Sequence, residues 1–138
     1  MNFQLTFRDR SRYETSDGVV TIAVFLSLGN TRVRCVAQID TGAAVCLFGR
    51  ELADDLGIDD VESGHQIYLS TLAGSLPAYG HEVTLQTLDL TIQTTVYFAE
   101  RYGLERNLLG KFGWLQQVRL GIVDYNEEIY LSAYDDPS

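Results

Sequence analysis

Residues 19–40, VVTIAVFLSLGNTRVRCVAQID, limit the fold of this chain more tightly than any other segment. The first half is rich in β-branched and apolar residues and stops at Gly29-Asn30, a pair that turns a chain. The second half alternates, with Val33, Cys35, Ala37 and Ile39 on one face and Arg32, Arg34, Val36 and Gln38 on the other. Alternation with a period of two specifies a strand with one buried face, because a one-residue slip would turn every apolar side chain to solvent. The segment therefore predicts a β-hairpin whose second strand ends on a carboxylate, Asp40.

The remaining pattern is also mostly strand. Residues 66–71, 82–87, 118–123 and 129–134 read as strands, and 88–98 alternates through Leu88, Leu90, Ile92, Thr94 and Val96. Residues 2–7 alternate as an edge strand would, and 45–48 form a short apolar piece. Leu52 and Leu56 stand at i, i+4 spacing before Gly57, which predicts a short helix over 50–56; a second short helix is expected over 108–117. Many short strands with one or two short helices define a mainly-β protein built as a closed or pseudo-barrel. A length of 138 residues with 46% hydrophobic content predicts one domain, 1–138, with its core over about 19–131, and no internal repeat divides it.

Charge and leader patterns exclude several partners. Ten Lys and Arg against nineteen Asp and Glu leave a net charge of −9, so a phosphate backbone would be repelled and no nucleic-acid partner is expected. The start of the chain is not basic and then continuously apolar, and no apolar run approaches the roughly 20 residues of a membrane span. Two cysteines, Cys35 and Cys46, fit no metal-ligand spacing. The expectation is a soluble, cytoplasmic protein without membrane contact.

Asp40-Thr41-Gly42-Ala43 is the sharpest local feature: a carboxylate at a strand end, then a hydroxyl, a glycine and a small residue. By itself it also describes an aspartate opening a turn that glycine completes. Other reactive residues weigh less. Cys35 and Cys46 sit among core residues and read as small buried hydrophobes. His65 and His81 match no zinc spacing, and Asp54, Asp55, Asp59, Asp60 and Glu62 lack a calcium-loop pattern and read as a solvated face. Tyr125, Tyr130 and Tyr134 interleave with acids, which disfavours base stacking in a positive groove.

Taken with its context, the motif resembles that of the retropepsin-like aspartic proteases. The 19–40 hairpin runs straight into Asp40-Thr41-Gly42-Ala43; Leu108-Leu109-Gly110, preceded by Arg106-Asn107, is similar to the family's hydrophobic-hydrophobic-glycine motif; and the hairpin around Ala73, Gly74 and Ser75 lies between them, where the family keeps its flap. The helix at 50–56 and the segment 109–114 followed by closing strands are similar to bacterial members. The resemblance implies a retropepsin-like acid-protease barrel and an aspartic endopeptidase, a hydrolase acting on peptide or protein substrates without metal or other cofactor.

Two close carboxylates cannot both ionise cheaply, so they share one proton: one group takes a proton from water while the other donates to the carbonyl under attack. This chain has a single Asp-Thr-Gly. The resemblance therefore implies a homodimer in which Asp40 of each copy supplies half of the pair. It further implies that Thr41 braces the partner loop, Gly42 admits the substrate backbone, Ala43 keeps the cleft floor small, and Ala73, Gly74 and Ser75 form the flap tip. Residues 2–7 and 129–134 are the terminal strands expected at the dimer interface. Ala44, Val45 and Lys111 depart from the retroviral pattern and remove its usual acid–Arg pair, while Pro77 should stiffen one flap arm. The alternative is a catalytically inactive peptide-binding or dimerisation module of the same fold. A glycosidase, the reading from another class, would need an acid such as Glu82 or Asp89 facing Asp40.

Overall fold

The computed structural model describes residues 1–13, 18–72 and 74–137. Along the chain they form β1 (Asp9–Arg12), β2 (Thr21–Leu28), β3 (Thr31–Ile39), β4 (Leu47–Phe48), the helix α1 (Arg50–Asp55), β5 (His65–Thr71), β6 (Gly74–Thr87), β7 (Leu90–Ala99), β8 (Asn107–Leu109), β9 (Val118–Val123) and β10 (Glu128–Ala133). Three single-turn 3-10 helices complete the described elements. None of the described helices is long and apolar enough to cross a membrane.

The larger sheet runs β2-β3-β8-β4-β7-β6-β5, and β2 also pairs with β6, so six strands close into a barrel and β5 hangs from β6 outside the ring. Closure is antiparallel, with Leu26 opposite Leu85 and Phe25 opposite Gln86. The alternation read from the sequence sets the inside: Ile22, Val24 and Leu26 from β2, Ala37 and Ile39 from β3, Val83 and Leu85 from β6, and Val96 and Phe98 from β7 are buried in one core. Burying side chains of this size removes apolar surface from water at about 25 cal/mol per Å², the dominant stabilising term.

Trp114 is fully buried in the same core, and its indole N–H donates to Thr87 Oγ1 at 3.1 Å. Each is the other's polar partner inside the barrel, so neither is left unsatisfied. α1 follows β4 and ends where the sequence predicts, with Gly57 in the left-handed region at φ 82°.

A second sheet, β1-β10-β9, packs Ile129 and Leu131 into this core. Its N-terminal strand differs from expectation: residues 2–7 form no strand, and the pairing segment is Asp9–Arg12. Phe7 folds over Gly121 and Tyr130, and Arg119 Nη1 donates to Thr6 O at 2.8 Å, which holds the chain across the sheet face instead of along its edge.

The helix expected over 108–117 is likewise absent. β8 occupies its first part, and a 3-10 turn, Leu115–Gln117, its last. Two glycines decide this. Gly113 takes φ 103°, and Gly110 sits where no side chain fits, so apolar spacing alone cannot wind the segment into a helix. Strand bounds also move: Leu88 and Asp89 form the turn between β6 and β7, with Leu88 at φ 51°, and β6 reaches back to Gly74 through Pro77, opposite Tyr68.

Trp114→Phe should cost about 2–3 kcal/mol, since it strands the Thr87 hydroxyl in the core and leaves a void. Urea unfolding followed by far-ultraviolet circular dichroism measures this.

Candidate active site

Asp40 emerges at the end of β3 because that strand pairs in parallel with β8, Ile39 opposite Leu109, and the Asp40 amide donates to Leu109 O at 3.0 Å. The chain then turns, the Ala43 amide donating to Asp40 O at 3.1 Å. Within the turn the Gly42 amide donates to Asp40 Oδ1 at 2.9 Å, a charge-assisted bond that orients the carboxylate. A Cβ at Gly42 would lie 3.3 Å from that oxygen, so the glycine permits the close approach.

Beyond Leu109 the chain threads through the loop it has just supported. The Lys111 amide donates to Ala43 O at 2.9 Å and the Phe112 amide to Ala44 O at 2.8 Å. Gly110, just before them, is buried, and a Cβ there would fall 2.2 Å from Val45 O and 2.8 Å from Ala43 O. The Gly110 amide faces Cys46 Sγ at 3.4 Å. Burial pushes the Cys46 thiol up to about 11, only partly opposed by that amide, and burial likewise raises Cys35 to about 11 against the pull of Arg34. Neither thiol has the acidity of a nucleophile.

Asp40, Gly42, Ala43, Ala44, Val45, Leu47 and Leu108 form the floor of a cleft of about 360 Å³, and Leu69, Ser70, Thr71 and Leu76 of the β5–β6 hairpin form its roof. Asp40 is the one ionisable side chain among these lining residues. Thus Asp40, Gly42, Ala43 and Leu108 come together on the cleft, whereas Leu109 and Gly110 are buried behind it and Thr41 is exposed beside it. Gly74 and Ser75 stand exposed at the hairpin tip, where Gly74 O accepts from the Thr71 hydroxyl at 2.7 Å. Ala73 lies outside the described residues.

Other candidates lie elsewhere. Glu82 and Asp89 are exposed and do not line the cleft. Asp54 accepts from the Tyr102 hydroxyl at 2.6 Å, Glu62 pairs with Arg50 at 3.2 Å, and the His81 ring donates to Val61 O at 2.7 Å. Sequence reasoning noted Asn107 only as flanking the Leu108-Leu109-Gly110 motif and missed its bridging role: its side chain donates to Val36 O and accepts from the Gly49 amide, both at 3.0 Å, fixing β8 between β3 and the exit of β4. Nothing in its spacing marks that role. It also read Leu47 as part of a short apolar piece, Leu69 as a strand residue and Leu76 as part of the hairpin tip, and none of them as a cleft residue, because a cleft formed by two elements distant in sequence leaves no local pattern.

A closed barrel that delivers an aspartate into a cleft beneath a β-hairpin, with a glycine strand threaded behind it, is the retropepsin-like aspartic-protease fold. Comparison with solved structures agrees. A retropepsin-like aspartic protease from Rickettsia conorii superposes with a TM-score of 0.64 at 18% identity, covering 91% of this chain and 99% of that one. The EIAV protease complexed with the inhibitor HBY-793 gives a TM-score of 0.54 at 16% identity, over 71% of this chain and 86% of that one. No family model and no curated protein matches the sequence. The likeness is therefore one of fold.

Gly110→Ala should destabilise the protein by about 3 kcal/mol or prevent folding, because the added methyl meets backbone on two sides. Thermal unfolding beside Gly74→Ala, at a glycine with open space around it but a φ of 119°, separates the packing clash at Gly110 from the strain of a positive-φ backbone.

Proposed function

We propose that the protein is an aspartic endopeptidase, active as a homodimer in which Asp40 of each copy supplies one half of a carboxylate pair. The observation that carries this reading is a roofed cleft whose described lining holds a single ionisable group, Asp40, with its Oδ1 fixed by the Gly42 amide. One carboxylate cannot serve as base and acid in the same step. A second copy supplies the other, and the exposed Thr41, Gly42 and Ala44 leave the outer side of the loop open to it. The two carboxylates then share one proton; the charged group takes a proton from water as its oxygen attacks the peptide carbonyl, and the protonated group donates to that carbonyl oxygen. Collapse of the tetrahedral species returns a proton to the leaving amine. Substrate lies extended between the Ala43–Val45 floor and the hairpin, whose backbone offers β-type hydrogen bonds.

The dimer would use contacts other than the retroviral ion pair. Lys111 Nζ lies 5.5 Å from the Phe112 ring centre, and Ala44 and Val45 stand beside it in place of acids. In the terminal sheet β10 is central, with β1 on one edge and β9 on the other, so backbone pairing between copies falls to the outer edges of β1 or β9. A charge of −9 on each copy opposes association, and salt or mild acid should favour it. A reducing, cytoplasmic setting accords with the free thiols of Cys35 and Cys46.

Asp40→Asn should lower cleavage of unfolded casein by about a thousandfold or more while leaving the fold and the sedimentation profile unchanged. Undiminished cleavage by the variant, or a wild type that remains monomeric at the highest concentrations tested, would overturn the reading.

A further inference from the structure

The hairpin over the cleft is held at its root by a polar network for which the proposed reaction has no use. β5 and β6 pair from Thr71 opposite Gly74 at the tip to His65 opposite Gly80 at the root. Near the root Tyr79, only 7% exposed, donates its hydroxyl to Glu100 Oε1 at 2.8 Å and accepts from Gln66 Nε2 at 3.0 Å. One phenol thus joins both hairpin strands to the chain leaving β7. The Glu100 backbone closes the arrangement: its amide donates to Pro77 O at 3.0 Å, and its carbonyl accepts from Arg50 Nη1 at 2.8 Å. Arg50 is the first residue of α1, so the root is connected to the segment that leaves the cleft floor at Leu47.

The root is also sterically close-fitted. A Cβ on Gly64 would meet Gly80 O at 2.2 Å, and one on Gly80 would meet the Tyr97 ring at 2.9 Å. At the other end Thr71, Leu72, Gly74 and Ser75 are exposed. A strand pair clamped at one end and solvated at the other moves as a lever, and its opening free energy is set where it is clamped.

We propose that Tyr79 and Glu100 are positioning residues: their hydrogen bond, braced by Gln66 and Arg50, sets the resting height and opening rate of the hairpin above Asp40. Its effect on substrate binding rests on the endopeptidase reading; its effect on hairpin motion does not. The bond joins a neutral phenol to a carboxylate in a largely buried place, where charge-assisted bonds are stronger than neutral ones. The Tyr79 phenol is pushed up to about 12, first by that bond to Glu100 and then by burial.

Full-length Tyr79→Phe and Glu100→Gln, with wild type, test the proposal by hydrogen exchange, tyrosine carbon NMR titration and turnover of a fluorogenic peptide. Tyr79→Phe should speed exchange of β5 and outer β6 amides about tenfold without changing β2 and β7. Glu100→Gln keeps an acceptor but no charge; it should give a smaller increase and move the Tyr79 titration down from about 12 toward the ordinary 10. Turnover should show KM raised severalfold with kcat within about twofold. Unchanged hairpin exchange in both variants, or an equal rise throughout the barrel, would overturn the proposal. A wild type that cleaves nothing would count against the endopeptidase reading alone, since exchange still decides whether the root holds the hairpin.

Discussion

The backbone bonds by which one strand threads through the Asp40 loop are the constraint on which the rest of the molecule depends. The Asp40, Lys111 and Phe112 amides bond to Leu109, Ala43 and Ala44 carbonyls, and the chain between them passes at Gly110 through a space bounded by the Val45 and Ala43 carbonyls. These bonds seat β8 between β3 and β4, and that seating lets β2 come round to β6. The barrel therefore closes through the same atoms that present Asp40. Stability and site geometry cannot be separated there, and a packing error behind the aspartate also displaces the aspartate.

Closure at β2 and β6 leaves β5 outside the ring, and this one topological fact creates the cleft. β6 is 14 residues long; from Ala78 to Thr87 it pairs with β7 in the barrel wall, and from Gly74 to Pro77 it runs beyond that ladder to form the roof. The two parts meet different physical demands. Val83, Leu85 and Thr87 are buried in the wall, whereas Gly74, Ser75 and Leu76 contact solvent or the cleft. The position of Tyr79 and Gly80 where the parts meet explains why a hydrogen-bond cluster and two close-fitted glycines concentrate there.

Much of this was legible in the sequence where periodicity and a hydrophobic face coincide. The 19–40 hairpin, helix α1, strand β7 and the second half of β6 follow from alternation or i, i+4 spacing, and the position of Asp40 at a strand end follows from the first of these. Legibility failed where tertiary contacts override local pattern. Residues 2–7 alternate perfectly well, yet Arg119 and Ser132 draw Thr6 and Arg8 across the sheet and the strand begins only at Asp9. Residues 108–117 carry leucines at spacings a helix could use, but Gly110 is required by two carbonyls that lie more than sixty residues earlier in the chain. The roof contacts of Leu69 and Leu76, and the bridging role of Asn107, depend on pairings between distant segments and leave no local mark.

The central place of β10 bears on how such a molecule could be controlled. A chain that supplies both neighbours of its own middle strand can complete its terminal sheet without help. On the proposed reading, folding and assembly are separate equilibria, and a dilute population is folded but idle. If two Asp40 loops must meet, the concentration of active pairs at low occupancy grows with the square of chain concentration, and the active fraction in direct proportion to it. Expression level alone would then act as a throttle.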